Sequence, residues 1–389
     1  MSQALRAGLV GCGSLSQRGI LPHLSEPDAR EKVRLVAVAD AVAERAHENA
    51  VRFGVPSQFG GVEAMLAGVE LDLVIVATPV QRHFADALAA VEAGKHVYVQ
   101  KAMTSTLDQA NELLAARDRA GVKLSAAPGY ELCTTTEAMR RVVDDGVIGH
   151  VYAAFTYTFG IMLGRSPQPG QRDPLAEIDP TWNFQPAGGG PLPSITVYSL
   201  QLATSLLGPV RRVTALANHH LEERRWAGKT IPVEIADNTI VLMEFASGAL
   251  GTAVGSAGRP TKWTPWGGLS LHGASGSLQV TEVHHASGYP MRFEVQAGGQ
   301  TREVGFELSD QPYLSGNHTA IQEPHVYADI MDLVDAVRDD RPVRAPGEQA
   351  RHVVEIIEKA ELAARSGQSQ TLTTTFAPVP PRTAGTPVQ

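Results

Sequence analysis

The first 127 residues alternate short apolar runs with amphipathic helical stretches, and this alternation limits the possible folds more than any other feature of the chain. Helical stretches such as Ala43–Phe53 and Leu107–Ala120 place apolar residues three and four positions apart. Strands separated by helices of this length predict βαβ units with right-handed crossovers, and therefore a parallel sheet. The predicted strands are Leu5–Val10, Val33–Asp40, Leu73–Thr78, His96–Gln100 and Val122–Ala126.

After this region, the pattern changes to short strands separated by Gly, Ser and Asn turns. Their close spacing predicts an antiparallel sheet, which two helices at Val326–Arg338 and Gly347–Arg365 follow. A chain of 389 residues exceeds what one hydrophobic core usually serves. We therefore expect one domain at 1–127, a second at 128–376, and a Pro-rich, disordered tail at 377–389.

Composition argues against several classes of partner. The formal net charge is −8 and the pI is about 5.9. An acidic chain of this kind argues against binding nucleic acid or an anionic membrane, which requires a basic stripe. No stretch approaches the ~18 uninterrupted apolar residues of a membrane span. The apolar run at the N-terminus continues directly into Gly11, which predicts a strand rather than a signal peptide. Cys12 and Cys133 are the only cysteines, so we expect reduced thiols and a cytoplasmic protein.

A glycine-rich turn, Gly11-Cys12-Gly13, directly follows the first predicted strand and precedes a helix. In a dinucleotide-binding turn, the first glycine permits a tight bend and the second lets the backbone approach the pyrophosphate, which sits on amide groups at the helix N-terminus. We expect Gly11 and Gly13 in these two places, with Ser14 and Leu15 also binding the cofactor. The alternative is a plain strand-to-helix turn. Together with the alternating strands and helices, the turn predicts a Rossmann domain, a doubly wound parallel sheet.

Asp40 ends the second predicted strand, where a carboxylate can accept hydrogen bonds from the adenosine ribose hydroxyls. The same charge repels a 2′-phosphate, so the residue favours NAD over NADP. The alternative is a helix N-cap for the residues from Ala41 onward, a role that Asp often fills and that is compatible with ribose binding. We expect Arg45, on the next helix, to be solvated rather than a phosphate ligand.

Three segments beyond the glycine turn carry a recognisable series of motifs. They are Thr78–His83 (TPVQRH), Glu92–Lys101 (EAGKHVYVQK) and Ala187–Leu192 (AGGGPL), and the last is followed by Tyr198. Together they resemble the glucose–fructose oxidoreductase / inositol dehydrogenase (Gfo/Idh/MocA) family, which typically shows TPN-x-x-H, then EAGKHV, then E-K-P. The resemblance covers most of the chain, from Leu5 to about Arg365.

This resemblance implies a Rossmann domain followed by an α/β domain with a large, mostly antiparallel sheet, which commonly mediates dimers or tetramers. It also implies chemistry on the secondary alcohols of sugars or cyclitols, or on their ketone forms. We therefore expect NAD as the cofactor and a small sugar or cyclitol as the substrate. We expect a homodimer or homotetramer through the C-terminal sheet, and no nucleic-acid or membrane partner.

The resemblance also implies roles for individual residues. The family lysine of E-K-P lies beside the nicotinamide and the reacting oxygen, and by motif match it is Lys101. The family's D-x-x-x-H/Y pair corresponds to Ser194 and Tyr198, which are expected to bind substrate. The cofactor contacts expected from the matched motifs are Thr78, Pro79, His83, Gln100 and Lys101.

Four positions depart from the usual residues of the family. Gln100 replaces Glu, Ala102 replaces Pro, Val80 replaces Asn, and Ser194 replaces Asp. Without a proline after Lys101, the sequence does not favour a cis peptide there. Ser194 lacks the carboxylate that often helps to orient substrate in the family.

Lys101 and Tyr198 are the expected catalytic residues. Lys101 follows the apolar run His96–Val99, at the edge of the sheet where ligands bind in open α/β folds. A lysine there can donate to a carbonyl oxygen, and desolvation lowers its pKa. Tyr198 is the expected donor or acceptor of the hydroxyl proton, and the alternative is a core aromatic on the helix Val197–Leu207.

Other side chains have two readings each. Trp182 and Asn183, in a Pro/Gly-rich loop, are expected to bind a sugar by ring stacking and hydrogen bonding, or else to pack the loop. His83 is expected at a helix start beside the cofactor, or else to pack that helix. The loop residues Arg165 and Arg172 are expected to be solvated, or else to bind an anionic substrate. The pairs His219-His220 and His284-His285 lack metal-ligand spacing to a third group, so we expect no metal site.

These residues favour NAD-dependent oxidation of a secondary hydroxyl on a sugar or cyclitol, or the reverse reduction. A second hypothesis is redox-neutral chemistry with bound NAD, in which transient oxidation permits elimination, hydrolysis or epimerisation. A third is a nucleotide-binding sensor that has lost its chemistry, which Gln100, Ala102 and Ser194 favour and which Lys101 and Tyr198 oppose.

Overall fold

The computed structural model describes residues 3–163, 175, 177–259, 261, 266–284 and 289–382. Arg165, Arg172, His285 and the residues after 382 lie outside this range, so the expectations for them are not addressed by the structure. By its internal contacts the chain divides into two compact units. The first comprises Met1–Gly129 and Tyr313–Ala350, and the second comprises Tyr130–Pro312 and Arg351–Gln389.

The helices and strands of the described residues are numbered separately in chain order. The α-helices are α1 (Leu21–Ser25), α2 (Pro27–Lys32), α3 (Ala43–Phe53), α4 (Val62–Gly68), α5 (Val80–Glu92), α6 (Leu107–Ala120), α7 (Thr134–Asp144), α8 (Val197–Leu207), α9 (Pro324–Arg338) and α10 (Gly347–Ser366). The strands are β1 (Leu5–Val10), β2 (Val33–Ala39), β3 (Ser57–Phe59), β4 (Leu73–Val76), β5 (His96–Val99), β6 (Leu124–Ala126), β7 (Val151–Phe159), β8 (Val210–Asn218), β9 (Glu223–Trp226), β10 (Lys229–Pro232), β11 (Asn238–Phe245), β12 (Leu250–Ser256), β13 (Gly268–Gly273), β14 (Gly276–Val283), β15 (Pro290–Ala297), β16 (Gln300–Gly305) and β17 (Gln370–Thr371).

The first unit contains a six-stranded parallel sheet in the order β3-β2-β1-β4-β5-β6. The predicted doubly wound parallel sheet is therefore confirmed. Every residue of β4 is buried, as expected for a strand covered on both faces. The strand order reverses between β1 and β4, and such a switch point is where open α/β sheets bind ligands. Strand β3 was not predicted, because its three residues are too short and too polar to form an apolar run.

The segment that contains α9 returns to this first unit. Helix α9 packs on β5 and β6, and the amide of Ala126 donates to the carbonyl of Ala345 at 3.0 Å. The division by contacts therefore differs from the expected boundaries, which put all of 128–376 in one domain. The physical reason is that α9 is buried along most of its length, including Ile330 and Leu333, and covers the end of the parallel sheet. Sequence position alone does not indicate which sheet a buried helix covers.

The second unit contains a nine-stranded sheet in the order β16-β15-β14-β13-β7-β12-β11-β8-β17. Only β7 and β12 pair in parallel, so the predicted large, mostly antiparallel sheet is confirmed. Its inner face packs against α7, α8 and α10, with Phe245, Phe293, Leu200 and Ile356 in one buried apolar cluster. Strands β9 and β10 form a separate two-stranded sheet.

The beginning of the predicted disordered tail is attached to the second unit. Arg382 Nε donates to Glu137 Oε1 on α7 at 2.8 Å, and its Nη2 donates to the carbonyl of Leu132 at 3.2 Å. Both acceptors are buried, so these bonds fix residues up to 382. Within the described part of the chain, no helix is long and apolar enough to cross a membrane.

Replacing Ile330 with alanine tests the assignment of α9 to the first unit. Ile330 is fully buried, so Ile330→Ala should lower the free energy of unfolding by about 2–5 kcal/mol. Hydrogen exchange should show lost protection first in β5 and β6. The matched control is Ile356→Ala on α10, which should reduce protection in the nine-stranded sheet instead. Lost protection confined to the second unit in Ile330→Ala would contradict the assignment.

Candidate functional site

The glycine turn lies at the carboxyl end of β1, beside the switch point of the parallel sheet. Gly11 has a φ of +94°, and a Cβ there would lie 2.5 Å from the carbonyl oxygen of Ala77, so only glycine fits. A Cβ on Gly13 would meet no atom within 4 Å. Continuous helical structure follows from residue 14 to residue 25. The turn thus leaves open space next to the free amide groups of a helix N-terminus, as a pyrophosphate requires.

Asp40 fixes the glycine turn to the end of β2. The carboxylate is buried, and its Oδ2 accepts a hydrogen bond from the Cys12 amide at 2.8 Å, while its Oδ1 accepts one from the Val42 amide at 2.8 Å. Arg45 Nη1 lies 3.2 Å from Oδ1. Arg45 is partly exposed, and its guanidinium also forms an ion pair with this buried carboxylate, which the sequence did not predict. Helix α3 begins only at Ala43 and has no side-chain cap, so Asp40 stabilises the turn before the helix instead of capping it.

The cysteine within the turn, Cys12, is a protonated and unreactive thiol near neutral pH. Burial and the neighbouring Asp40 carboxylate raise the pKa of the Cys12 thiol to about 12. Cys12 and Cys133 are both buried and unbridged. The glycine turn, the helix N-terminus and Asp40 together fit a dinucleotide, with the carboxylate on the ribose side.

His83 joins the two turns that follow β4 and β5. It lies in the first turn of α5, as expected, and is buried. One ring nitrogen lies 2.7 Å from the carbonyl oxygen of Thr78, and the other lies 2.7 Å from that of Ala102. Burial lowers the pKa of the imidazole, and the two carbonyls oppose this effect. Because protein carbonyls occupy both nitrogens, the structure gives His83 a role in positioning backbone, and a direct cofactor contact stays a prediction.

The hydroxyl of Thr78 is also bound within the protein. Its Oγ1 donates to Asp86 Oδ2 at 2.8 Å, and Arg82 pairs with the other oxygen of that buried carboxylate at 2.7 Å. Pro79 directly precedes α5 with an extended backbone, so the turn after β4 has a defined shape. The expected contacts of Thr78 and Pro79 with a cofactor stay predictions.

Lys101 follows β5 at the same edge of the sheet. The side chain is half-buried, and burial lowers the pKa of its ammonium to about 8, with Arg18 acting in the same direction and Glu323 opposing. The Lys101–Ala102 peptide is cis although no proline follows the lysine. The expectation drawn from the missing proline is therefore wrong.

Sequence reasoning missed a buried carboxylate close to this lysine. Glu323 directly precedes α9, is 3% exposed, and lies 2.5 Å from Arg18 Nη1 through its Oε1. Burial raises the pKa of Glu323, and the positive charges of Arg18 and Lys101 oppose this. A Cβ on Gly19 would lie 2.6 Å from the Glu323 Cβ, so the backbone after the glycine turn packs directly on this residue. The only signal in the sequence is a glutamate before a proline that starts a helix. This signal does not indicate that Glu323 packs in the first unit.

Gln100 faces the interior of the first unit. It is 4% exposed, and its Nε2 donates to the Tyr98 hydroxyl at 2.8 Å. The cofactor contact expected for Gln100 stays a prediction.

In the second unit, Tyr198 lies in the first turn of α8 within an aromatic cluster. It is 7% exposed, and its ring meets the edge of Tyr130 at 6.3 Å between centroids and that of Trp266 at 5.4 Å. Burial raises the pKa of Tyr130 well above its usual value, so that phenol keeps its proton. Tyr198 therefore packs as a core aromatic does, and its proposed proton transfer is not tested by this geometry.

The other residues expected to bind substrate lie earlier in the second unit. Ser194 belongs to the helical turn Leu192–Thr196, directly before α8, and its amide donates to Gly190 at 3.3 Å. Trp182 and Asn183 form part of the short helical turn Thr181–Phe184. The side chains of Trp182, Asn183 and Ser194 are half-buried. Asn183 Nδ2 donates to the carbonyl of Met162 at 3.3 Å, which supports loop packing. Sugar binding by these residues stays a prediction.

The first of the two histidine pairs, His219-His220, makes hydrogen bonds within the protein. His219 Nε2 lies 2.9 Å from the carbonyl oxygen of Leu221. Over the described ranges, no group of three or more His, Cys, Asp or Glu residues is arranged to hold a metal ion.

Comparison with known proteins identifies the family. Residues 5–127 match the model of an oxidoreductase family with an NAD-binding Rossmann fold, and residues 136–279 match the Gfo/Idh/MocA C-terminal domain. The chain is similar to D-glucoside 3-dehydrogenase of Escherichia coli (strain K12), with 29% identity over 262 residues, 64% of this chain and 69% of the relative. It is also similar to levoglucosan dehydrogenase of Pseudarthrobacter phenanthrenivorans, with 25% identity over 300 residues, 71% of this chain and 73% of the relative.

A solved structure shares the fold over nearly the whole chain. A levoglucosan dehydrogenase in complex with NADH superposes with a TM-score of 0.78 at 20% identity, covering 96% of this chain and 100% of that chain. The two matched family models together cover more than half of the sequence, one in each unit. The chain belongs to the Gfo/Idh/MocA family of NAD-binding oxidoreductases.

Proposed function

We propose that this protein oxidises a secondary hydroxyl of a sugar, sugar derivative or cyclitol, or reduces the corresponding ketone, with NAD(H). The observation that carries the proposal is Lys101, whose ammonium lies half-buried after β5 with a pKa of about 8, at the sheet edge that carries the glycine turn. The similar curated proteins, a glucoside dehydrogenase and a levoglucosan dehydrogenase, support a sugar as substrate. Bound NAD would supply the hydride acceptor.

Lys101 is proposed to handle charge on the reacting oxygen. With a pKa of about 8, Lys101 is mostly protonated at pH 7. Its ammonium can then donate to a carbonyl oxygen as alkoxide character develops. The buried Glu323 carboxylate favours the charged form, and Arg18 disfavours it. The lysine is therefore able both to give up and to regain a proton near neutral pH, as a reversible dehydrogenase requires.

Tyr198 is the proposed second proton-transfer group, with Ser194, Trp182 and Asn183 binding the sugar. Ser194 leaves no carboxylate in the turn before Tyr198, so the phenol is proposed to act without that partner. Both cysteines are unbridged, which supports the proposed cytoplasmic location.

A fluorescence screen for NADH tests the proposed reaction. The wild-type protein with NAD should form NADH on at least one member of a panel of D-glucosides, levoglucosan, free aldoses and inositols. Release of NADH in amounts exceeding the enzyme distinguishes net oxidation from redox-neutral chemistry. Conversion of a sugar without released NADH would contradict the proposal in favour of elimination, hydrolysis or epimerisation.

Replacing Lys101 with alanine should remove turnover and leave cofactor binding intact. Loss of an oxyanion-type contact should lower kcat by about 10²–10³-fold, while NAD affinity stays within a few-fold. Because the ammonium is the active form in ketone reduction, the wild-type rate should be full below pH 8 and fall as the pH rises through about 8. Lys101→Ala should lack this fall.

Two further variants make the Lys101 experiment specific. Lys95→Ala is the matched control, because Lys95 directly precedes β5, at the opposite end of the same strand, and turnover should be unchanged. Tyr198→Phe should lower kcat by about 10²-fold if the phenol transfers the proton. Near-normal turnover in Lys101→Ala would contradict the proposed chemistry.

We propose that Asp40 makes the protein prefer NAD over NADP. The buried carboxylate repels a 2′-phosphate, and its ion pair occupies Arg45. Asp40→Ala should therefore lower the ratio of NAD affinity to NADP affinity by about tenfold or more, equal to about 1.4 kcal/mol. Calorimetric titration with both cofactors measures this ratio. In Asp40→Ala, the Arg45 guanidinium loses its ion pair and can bind the 2′-phosphate of NADP. The double variant Asp40→Ala/Arg45→Ala lacks this guanidinium and should therefore bind NADP more weakly than Asp40→Ala. A wild-type preference for NADP would contradict the proposal.

We propose that the outer face of the nine-stranded sheet forms a homodimer or homotetramer. Neighbouring strands present large apolar side chains on this face, and Leu216, 75% exposed, pairs directly with Ile240 across β8 and β11. Contiguous exposed apolar patches usually mark interaction sites. The exposed apolar residues of this face are Phe155, Leu216, Ile240, Leu242 and Leu250.

A charged residue on this face should break the assembly. Leu242→Arg should convert the protein to a monomer in light scattering after size exclusion, with its circular dichroism unchanged, because a desolvated guanidinium is costly in an apolar interface. The control is Val51→Arg, at an exposed apolar position on α3 of the first unit (69% exposed, against 47% for Leu242), which should leave the mass unchanged. An assembly that survives Leu242→Arg would contradict this interface.

A further inference from the structure

A buried chain of hydrogen bonds connects the residue before Lys101 to helix α9. Gln100 Nε2 donates to the Tyr98 hydroxyl at 2.8 Å, and that hydroxyl donates to Asp329 Oδ2 at 3.1 Å. Tyr98 and Asp329 are fully buried, and Gln100 is 4% exposed. A phenol has a single proton, and here it goes to Asp329. With its proton on Asp329, the phenol can accept from position 100 but cannot donate to it, which suits an amide and not a carboxylate.

The carboxylate at the end of this chain is held from a second direction. The Gly129 amide donates to Asp329 Oδ2 at 3.2 Å, and a Cβ on Gly129 would lie 2.2 Å from Asp329 Oδ1. The carboxylate thus contacts the backbone three residues after β6 and, through Tyr98, the end of β5. Helix α9 also begins directly after Glu323, which pairs with Arg18. The position of α9 and the position of the strand end that carries Lys101 are therefore coupled.

We propose that Gln100 and Asp329 are positioning residues for Lys101, matched so that this buried network holds one carboxylate and one amide. The inference rests on the proposed function only for its readout in turnover. A glutamate at position 100 would compete with Asp329 for the one phenolic proton. Two buried carboxylates would then face one phenolic proton, and their repulsion would force either the end of β5 or α9 to move.

The test is a cycle of Gln100→Glu and Asp329→Asn. Gln100→Glu should lower kcat by about tenfold or more and raise the unfolding equilibrium constant by a similar factor, the usual scale for an unsatisfied buried charge. NAD affinity should fall by a smaller factor than kcat, because the change displaces Lys101 and not the glycine turn. Asp329→Asn alone should cost little, because its amide oxygen still accepts from Tyr98 and Gly129.

The second substitution should have opposite effects in the two backgrounds. Added to Gln100→Glu, Asp329→Asn should recover both kcat and stability by several-fold, because the phenol then has one carboxylate to serve. The matched control is Asp332→Asn, another fully buried aspartate of α9, which pairs with Arg341 at 2.8 Å. It should give no recovery in the Gln100→Glu background.

The outcomes separate this inference from the proposed function. Unfolding by denaturant is measured without substrate, so the stability part of the cycle does not require an active enzyme. A wild type that turns over no sugar would overturn the proposed function and leave this stability test in place. Recovery of stability without recovery of kcat in an active enzyme would overturn the positioning role. Equal effects of Asp329→Asn in both backgrounds would overturn the one-carboxylate pairing.

Discussion

Parallel pairing of the central strands is the constraint on which the candidate site depends. Because β1, β2, β4 and β5 run in the same direction, their carboxyl ends lie at one edge of the sheet. The backbone cannot continue in the sheet at this edge, so the turns that follow carry the functional groups. The residues of these turns are Gly11, Gly13, Asp40, Thr78, Pro79 and Lys101.

Buried polar contacts then give these turns fixed shapes. Asp40 joins the first and second turns through the Cys12 amide, and His83 joins the turns after β4 and β5 through two carbonyls. Such groups stabilise one arrangement only when their partners are in place, since an unsatisfied buried polar group is costly. Helix α9 contributes Asp329, and the residue directly before this helix is Glu323, so the environment of Lys101 depends on two distant segments of the chain.

The sequence predicted the elements whose signal is local. The apolar run Leu5–Val10 is β1 to the residue, and α3 has the predicted bounds Ala43–Phe53, because periodicity and flanking residues define both. The parallel sheet, the large antiparallel sheet and the family also followed from patterns along the chain.

What the sequence could not predict depends on contacts between distant segments. The return of α9, the ion pair of Glu323 with Arg18 and the network of Gln100 with Asp329 each join residues more than two hundred positions apart. The ion pair of Arg45 with Asp40 was not predicted, because it depends on how Asp40 is held. Strand β3 has only three residues, too few for a periodic signal, and it pairs in parallel with β2.

Isotope transfer tests the central claim, net hydride transfer between a sugar carbon and NAD, most directly. The purified protein would be incubated with NAD and a sugar from the fluorescence screen, deuterated at its ring carbons, and the released cofactor analysed by mass spectrometry. The account predicts free reduced cofactor that carries one deuterium, in an amount exceeding the enzyme. Conversion of the sugar with no deuterium in the released cofactor would contradict it.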